Sequence, residues 1–249
     1  FGFLSGFTGQ EIERLLKEKG ISTEFIHIEN GTSRINLKIR SDVESEINGM
    51  GPVIRKEDLE LLYEQLDTLK DDDVLVLAGS IPSGMPQSIY RDIMSRLQSK
   101  QIKIAVDATK DLLMNVLAYH PFVIKPNNHE LSEIFDVTID SKEKAVVYAK
   151  ELQKKGAQNV IVSMAGEGAV FVGSDGSVFI SEAPHGVVKN SVGAGDSMVA
   201  GFLAGYLAKG DYAEAFKMGL CTGSASAFSD QLATREEVEQ VRRSHIFDF

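Results

Sequence analysis

The sequence predicts an α/β protein with a mostly parallel central sheet covered by helices on both faces, and three features predict it. Short runs are apolar or nearly so: Val74-Leu75-Val76-Leu77-Ala78, Ile102 to Val106 with Lys103 as its one polar residue, Phe122-Val123-Ile124 and Val160-Ile161-Val162. A strand without a polar side has both faces buried, as in parallel sheets. Stretches with apolar residues at helical spacing separate these runs, which is the pattern of helical crossovers, expected to be right-handed. Each run is also followed by a small, polar or glycine-rich segment, as at the ligand-facing ends of open α/β sheets. The 249 residues, 43% hydrophobic and 25% charged, suffice for a sizeable core.

Taken in order, Thr8 or Gly9 can cap a helix through about Lys19, with Ile12, Leu15 and Leu16 on one face and Gly20 ending it. Phe25 to Ile28 reads as a strand. After the Asn30-Gly31 turn, Arg34 to Ile39 alternates, with Ile35, Leu37 and Ile39 on one face and Arg34, Asn36 and Lys38 on the other. Glu44 to Asn48 adds a short strand. Residues 21–55 therefore form a small sheet laid over something, between a core that starts in 1–20 and one that continues in 56–249. From Lys56 the texture changes: helices at Leu59 to Leu69, Gln87 to Ser99 and Lys142 to Lys155 alternate with the apolar runs. Ala169 to Val172 and Ser177 to Ile180 flank Asp175-Gly176 as a hairpin. Three helices finish the chain: Ala194 to Ala208, Tyr212 to Phe228, and Thr234 to about Arg242, the last opened by the capping box Thr234-Arg235-Glu236-Glu237.

Composition removes several classes of function. The net charge is −10 and no Lys/Arg-rich block interrupts it, which argues against nucleic-acid and membrane-surface partners. The longest apolar stretch, Met198 to Ala208, falls short of the ~18 residues of a membrane span. Residues 1–20 lack the pattern of a signal peptide, so a cytoplasmic protein is expected. The single cysteine, Cys221, cannot form an internal disulfide, and its small-residue surroundings predict burial.

The chemistry centres on Asn190-Ser191-Val192-Gly193-Ala194-Gly195-Asp196-Ser197, at the start of a small-residue apolar helix. Unpaired N–H groups and the positive end of the dipole make such a start suited to phosphate or an oxyanion. Asp196 falls in the first turn, where a carboxylate beside phosphate makes sense as acceptor of a proton from an attacking hydroxyl. The competing reading is a first-turn acid favoured by the dipole alone. Gly-x-Gly-x-x-Gly fails here because Met198 replaces the third glycine, it fails again at Phe171, and Walker A occurs nowhere.

Four strand-end segments would ring one crevice with this motif: Gly79 to Pro82, Asp107 to Thr109, Lys125 to Glu130, and Ser163 to Gly168. Turn preference explains any one of them. Asn127 and Glu130 could hold a hydrated Mg²⁺, which keeps several waters and takes nucleotide phosphates as ligands; equally, they could be a helix cap and its capping-box partner. His129 between them is expected to be solvated, and His27, His120, His185 and His245 are scattered without chemistry.

Asn190 to Ser197, Lys125-Pro126-Asn127 with Glu130, Ser163 to Gly168 and Gly79 to Pro82 resemble the motifs of the ribokinase-like, or PfkB, family of carbohydrate kinases. Gly6 to Gly9, Thr32 to Lys38, Lys125 to Glu133 and Ala225 to Glu237 resemble its bacterial branch acting on fructose 1-phosphate. The resemblance spans essentially the whole chain. It implies a three-layer α/β/α sandwich with a β-sheet lid over residues 21–55. It also implies ATP-dependent phosphorylation of fructose 1-phosphate at the C6 hydroxyl, with tagatose 6-phosphate or fructose 6-phosphate as alternative acceptors. Asp196 would be the base, and the amides of Gly193, Ala194 and Gly195 the anion hole. Arg34 would clamp the sugar's phosphate and Ser80 line the sugar side. Lys125, Asn127, Ser163, Gly166, Gly168 and Ser224 would lie along ATP, with Glu130 and Asn127 on the Mg²⁺ side. A monovalent-cation site in some relatives matches Asn190, Val192, Ser226 and Ser229, although Gln231 replaces a small residue there. Lid sheets of the family commonly pair between subunits, which implies a homodimer through the apolar face of Ile35, Leu37 and Ile39. The family's first strand and its Gly-Gly-Lys-Gly-x-Asn segment have no counterpart in these residues. That predicts an exposed sheet edge, weak activity, and as a different class of function a sugar-phosphate or nucleotide binding module without catalysis.

Overall fold

A computed structural model describes residues 1–39, 45–82 and 84–249, and the chain divides into two compact units. The first comprises Phe1–Asp73 and Ser80–Ile102. It opens with β1 (Gly2–Ser5) and α1 (Gly6–Glu18), and β2 (Phe25–Ile28) lies parallel to β1. The helix starts earlier than Thr8 because Gly6 adopts φ +61°, where a Cβ would come within 2.8 Å of the Gly31 carbonyl oxygen. Ser5 Oγ donates to the Ile28 carbonyl at 2.9 Å, tying the end of β1 to that of β2. The strand itself escapes sequence reading, since four residues with glycine at one end show no period.

In the same unit β3 (Asn36–Ile39) and β4 (Ser45–Asn48) pair antiparallel, with Leu37 opposite Ile47. Both side chains are about half exposed, at 51% and 59%, and Ile35 is exposed as well. Arg40 to Glu44, between these strands and including the expected beginning of the second, lie outside the described residues. Helix α2 (Lys56–Asp67) starts three residues before Leu59 because Asp58 accepts the Arg55 N–H at 3.0 Å as a cap. Helix α3 (Ile89–Leu97) buries Ile89, Ile93, Met94 and Leu97, and its Arg96 donates to Asp67 at 2.7 Å.

The second unit comprises Val74–Gly79 and Lys103–Phe249. Its sheet contains β5 (Val74–Ala78), β6 (Lys103–Asp107), β7 (Val123–Ile124), β8 (Asn159–Ser163), β9 (Ala169–Val172) and β10 (Val178–Ser181). The spatial order is β10-β9-β8-β7-β6-β5; β5 to β8 are parallel, and β9 and β10 antiparallel. Burial is complete at Val160, Ile161 and Val162, as an apolar run in a covered strand requires. Among the described residues β5 is an edge of this sheet, with Val76 46% exposed.

The sheet carries α4 (Lys110–Met114), α5 (Asn128–Phe135), α6 (Lys142–Lys154), α7 (Ala194–Lys209), α8 (Tyr212–Phe228) and α9 (Arg235–Ser244). Phe122, Phe171, Phe202 and Phe216 build the core beneath α7 and α8. These two helices meet almost backbone to backbone. A Cβ on Gly201 would stand 2.7 Å from the Met218 carbonyl oxygen, and one on Gly223 3.0 Å from that of Ala194. Cys221 is buried in α8, and desolvation pushes its thiol up to about 11. Among the described residues no helix is long and apolar enough to cross a membrane.

Candidate active site

The glycine motif forms a tight turn into α7. Gly193 is its N-cap at φ +79°, a left-handed conformation that favours glycine, and its carbonyl accepts the Ser197 N–H at 2.8 Å. Asp196 is exposed in the first turn, whereas the neighbouring Ser197 is buried. Ser226 Oγ donates to Ser197 Oγ at 2.8 Å and accepts the Ala233 N–H at 3.2 Å, so α8 and the segment after it fix the start of α7.

The Ala194 N–H donates to the Ser191 carbonyl at 3.2 Å, because the chain closes a turn just before the helix. Ala194 therefore contributes no open amide. Among the described residues, the Gly193 and Gly195 amides meet no backbone carbonyl.

A buried ion pair stands beside that turn. Lys125 is 7% exposed, and its ammonium lies 3.3 Å from Asp107 Oδ1. A Cβ on Gly195 would come within 3.1 Å of Lys125 Nζ, so the absence of a side chain there makes room for the ammonium. Burial pushes the Asp107 carboxyl up, the Lys125 ammonium draws it back, and the charge of Asp196 adds to the rise. Sequence reasoning named the Asp107 segment as a strand end but gave this residue no role. Its signal was there in principle, since Asp107 and Lys125 are each the first charged residue after an apolar run.

Asn127 and Glu130 form the capping box of α5. Asn127 Oδ1 accepts the Glu130 N–H and Glu130 Oε2 accepts the Asn127 N–H, both at 2.8 Å. Among the described residues no group of three or more His, Cys, Asp or Glu could hold a metal. A hydrated ion such as Mg²⁺, which draws most of its ligands from water and phosphate, is compatible with so few protein ligands.

Ser163 is partly buried at the end of β8, its N–H bonded to the Pro126 carbonyl at 3.2 Å, so the segments of Asn127 and Ser163 adjoin. Gly166 is exposed, and nothing lies within 4 Å of a Cβ placed there. Gly168 has a packing reason for being glycine: it sits at φ +91°, and a Cβ would come within 2.1 Å of the Ser181 carbonyl oxygen. Ser224 is half-buried on α8, next to Gly223, which abuts Ala194.

Arg34 and Ser80 belong to the first unit, and both are exposed. Arg34 leaves a firm anchor. Buried Ser33 accepts the Ser5 N–H on its hydroxyl at 3.0 Å, and its carbonyl accepts Thr8 Oγ1 at 2.8 Å. The segments of the suggested cation site adjoin through Asn190 N–H and the Ala227 carbonyl, 3.1 Å apart. Their side chains are engaged: Asn190 Oδ1 accepts the Val192 N–H, and Ser229 Oγ donates to Glu237.

A parallel sheet with a buried lysine at a strand end, beside a glycine turn and an exposed first-turn carboxylate, is an arrangement suited to a phosphotransferase. Comparison with known proteins places it further: the model of the pfkB family carbohydrate kinases matches residues 1–237, and the chain belongs to this family. It is 44% identical over 240 residues to a 1-phosphofructokinase of Bacillus subtilis, covering 96% of this chain and 78% of that protein. A D-tagatose-1-phosphate kinase of Bacillus licheniformis is 32% identical over the same shares, 96% and 78%. A solved structure of a candidate phosphofructokinase from Staphylococcus aureus superposes with TM-score 0.88 at 38% identity, over 98% of this chain and 79% of that one.

Proposed function

We propose that this chain transfers the γ-phosphoryl group of ATP to the C6 hydroxyl of fructose 1-phosphate, giving fructose 1,6-bisphosphate and ADP. The observation that carries the proposal is the exposed Asp196 in the first turn of α7, beside two amides without a backbone partner. Asp196 accepts the C6 hydroxyl proton as that oxygen attacks the γ-phosphorus, and the bond to the β–γ bridging oxygen breaks to release ADP. The Gly193 and Gly195 amides and the positive end of α7 stabilise the charge on the transferring group.

Arg34 binds the phosphate that the sugar already carries, where a guanidinium can make two parallel hydrogen bonds, and Ser80 lines the sugar. Lys125, Ser163, Gly166, Gly168 and Ser224 line the nucleotide, with Asn127 and Glu130 on the Mg²⁺ side. Mg²⁺, when bound with ATP, neutralises charge on the β- and γ-phosphates. A monovalent cation is assigned to the Asn190–Val192 and Ser226–Ser229 segments, and activity with potassium against activity with a bulky organic cation tests it. The exposed Leu37–Ile47 face supports a homodimer through β3 and β4. A net charge of −10 suits a protein working in the cytoplasm.

A coupled ADP assay over fructose 1-phosphate, tagatose 1-phosphate, fructose 6-phosphate and tagatose 6-phosphate tests the reading. The expected result is the highest kcat/KM with fructose 1-phosphate. Preference for a 6-phosphate overturns the acceptor, and tight binding without ADP release makes the chain a binding module instead.

A further inference from the structure

Strands β6 and β7 run parallel with Ala105 opposite Val123 and Val106 opposite Ile124. The next step along both strands brings Asp107 and Lys125 together at the carboxyl ends, and their side chains meet at 3.3 Å. The partly buried carboxylate thus holds an ammonium whose side chain is only 8% exposed. That ammonium stands against Gly195, in the first turn of α7. The location is electrostatically unfavourable for a cation, because the start of a helix carries the positive end of its dipole. A buried ammonium left unpaired is strongly disfavoured, so something must hold it there. Asp107 supplies the opposing charge, and a polyanion entering the site completes the balance. An ammonium carries three protons, so Lys125 can keep its bond to Asp107 and still donate to phosphate oxygens.

We propose that Asp107 is a positioning residue for phosphoryl transfer: its carboxylate fixes the Lys125 ammonium at the Gly193–Gly195 turn, ready for the nucleotide's phosphates. The proposal rests on the kinase reading above. Asp107 acts through Lys125 and not on the reacting atoms. It does not serve mainly to join β6 to β7, which the strand pairing already does.

The test is a double-mutant cycle of Asp107→Asn and Lys125→Met, with Asp107→Glu as the conservative variant. Melting temperature, kcat, both KM values and binding of a magnesium-loaded, non-hydrolysable ATP analogue are measured throughout. Groups that orient a ligand typically contribute about 10–100-fold, and Asp107→Asn is expected to lower kcat/KM for ATP and analogue affinity within that range. The KM for fructose 1-phosphate should change by less than about twofold, as interactions with one substrate leave the other's binding intact. Asp107→Glu should recover most of the loss. In the Lys125→Met background the same Asp107→Asn change should cost less than about threefold, because the partner it acts through is gone.

An equal loss in both backgrounds overturns the proposal, as does a single variant with unaltered kcat and analogue affinity. If either single variant loses its fold, the double variant compared with Asp107→Glu/Lys125→Met decides: equal activity supports action through Lys125, and unequal activity refutes it. The analogue titration needs no sugar. Absence of sugar phosphorylation by the unmodified chain would therefore sink the kinase reading separately, while the titration still judges the role of Asp107.

Discussion

Strand β8 and the β3–β4 pair are built from equally clear apolar patterns and end in opposite environments. Val160, Ile161 and Val162 are wholly buried, whereas Leu37 and Ile47, paired across two strands, are about half exposed. An apolar pattern states which face needs cover. Whether the chain itself supplies that cover depends on neighbours: among the described residues, β8 has β7 and β9 beside it, and β3 has β4 alone. The second unit thus holds a finished core beneath α7 and α8, while the first presents an apolar face together with Arg34.

If that division extends to function, changes in the second unit should strike kcat or folding, and changes in the first should strike acceptor binding or assembly. Asp196→Asn is expected to have the largest effect, lowering kcat by about 10²–10⁴-fold with little change in binding, as befits a general base. Steady-state kinetics with unaltered turnover would remove Asp196 from the mechanism. Gly168→Ala forces a side chain onto the Ser181 carbonyl at a positive φ, and should cost about 2–4 kcal/mol, read as a fall in melting temperature.

Arg34→Ala should raise the KM for the sugar phosphate about 10-fold, the worth of one lost charge-assisted contact, and leave the ATP KM in place. A fall in kcat alone would break the division between the units. Leu37→Asp puts a charge on the exposed β3–β4 face and should shift sedimentation from dimer to monomer, while the melting temperature of the six-stranded unit holds.

The smallest effect concerns acid stability. Hydrogen bonds from Lys209 and Lys217 hold the Glu214 carboxyl down at about 2. A carboxyl that folding depresses adds stability above its unfolded value near 4.5, and that stability disappears as pH falls toward 2. Glu214→Gln should therefore cost about 1 kcal/mol at neutral pH, since the group is partly solvated, and flatten the loss of melting temperature between those two values.

Much of this architecture was legible because it rests on local rules. The apolar runs became strands, Asp175-Gly176 turned the β9–β10 hairpin, and Thr234 with Glu237 capped α9 at 2.7 Å. The choice at Asn127 and Glu130 was not decidable from spacing, because a capping box and a hydrated-metal pair use the same residues three apart. The bond from Ala194 to Ser191 depended on how tightly the turn closes. The Asp107–Lys125 pair depended on the register of a two-residue strand, which no period reports.

The contact between α7 and α8 bears on the glycine turn that starts α7. Gly223 brings α8 to the Ala194 carbonyl without a side chain between them, at the residue where α7 begins. With no side chain on Gly223 between them, a shift of α8 would press on the first turn of α7. The position of the first turn of α7 is therefore set by the packing of α8 as well as by the turn itself.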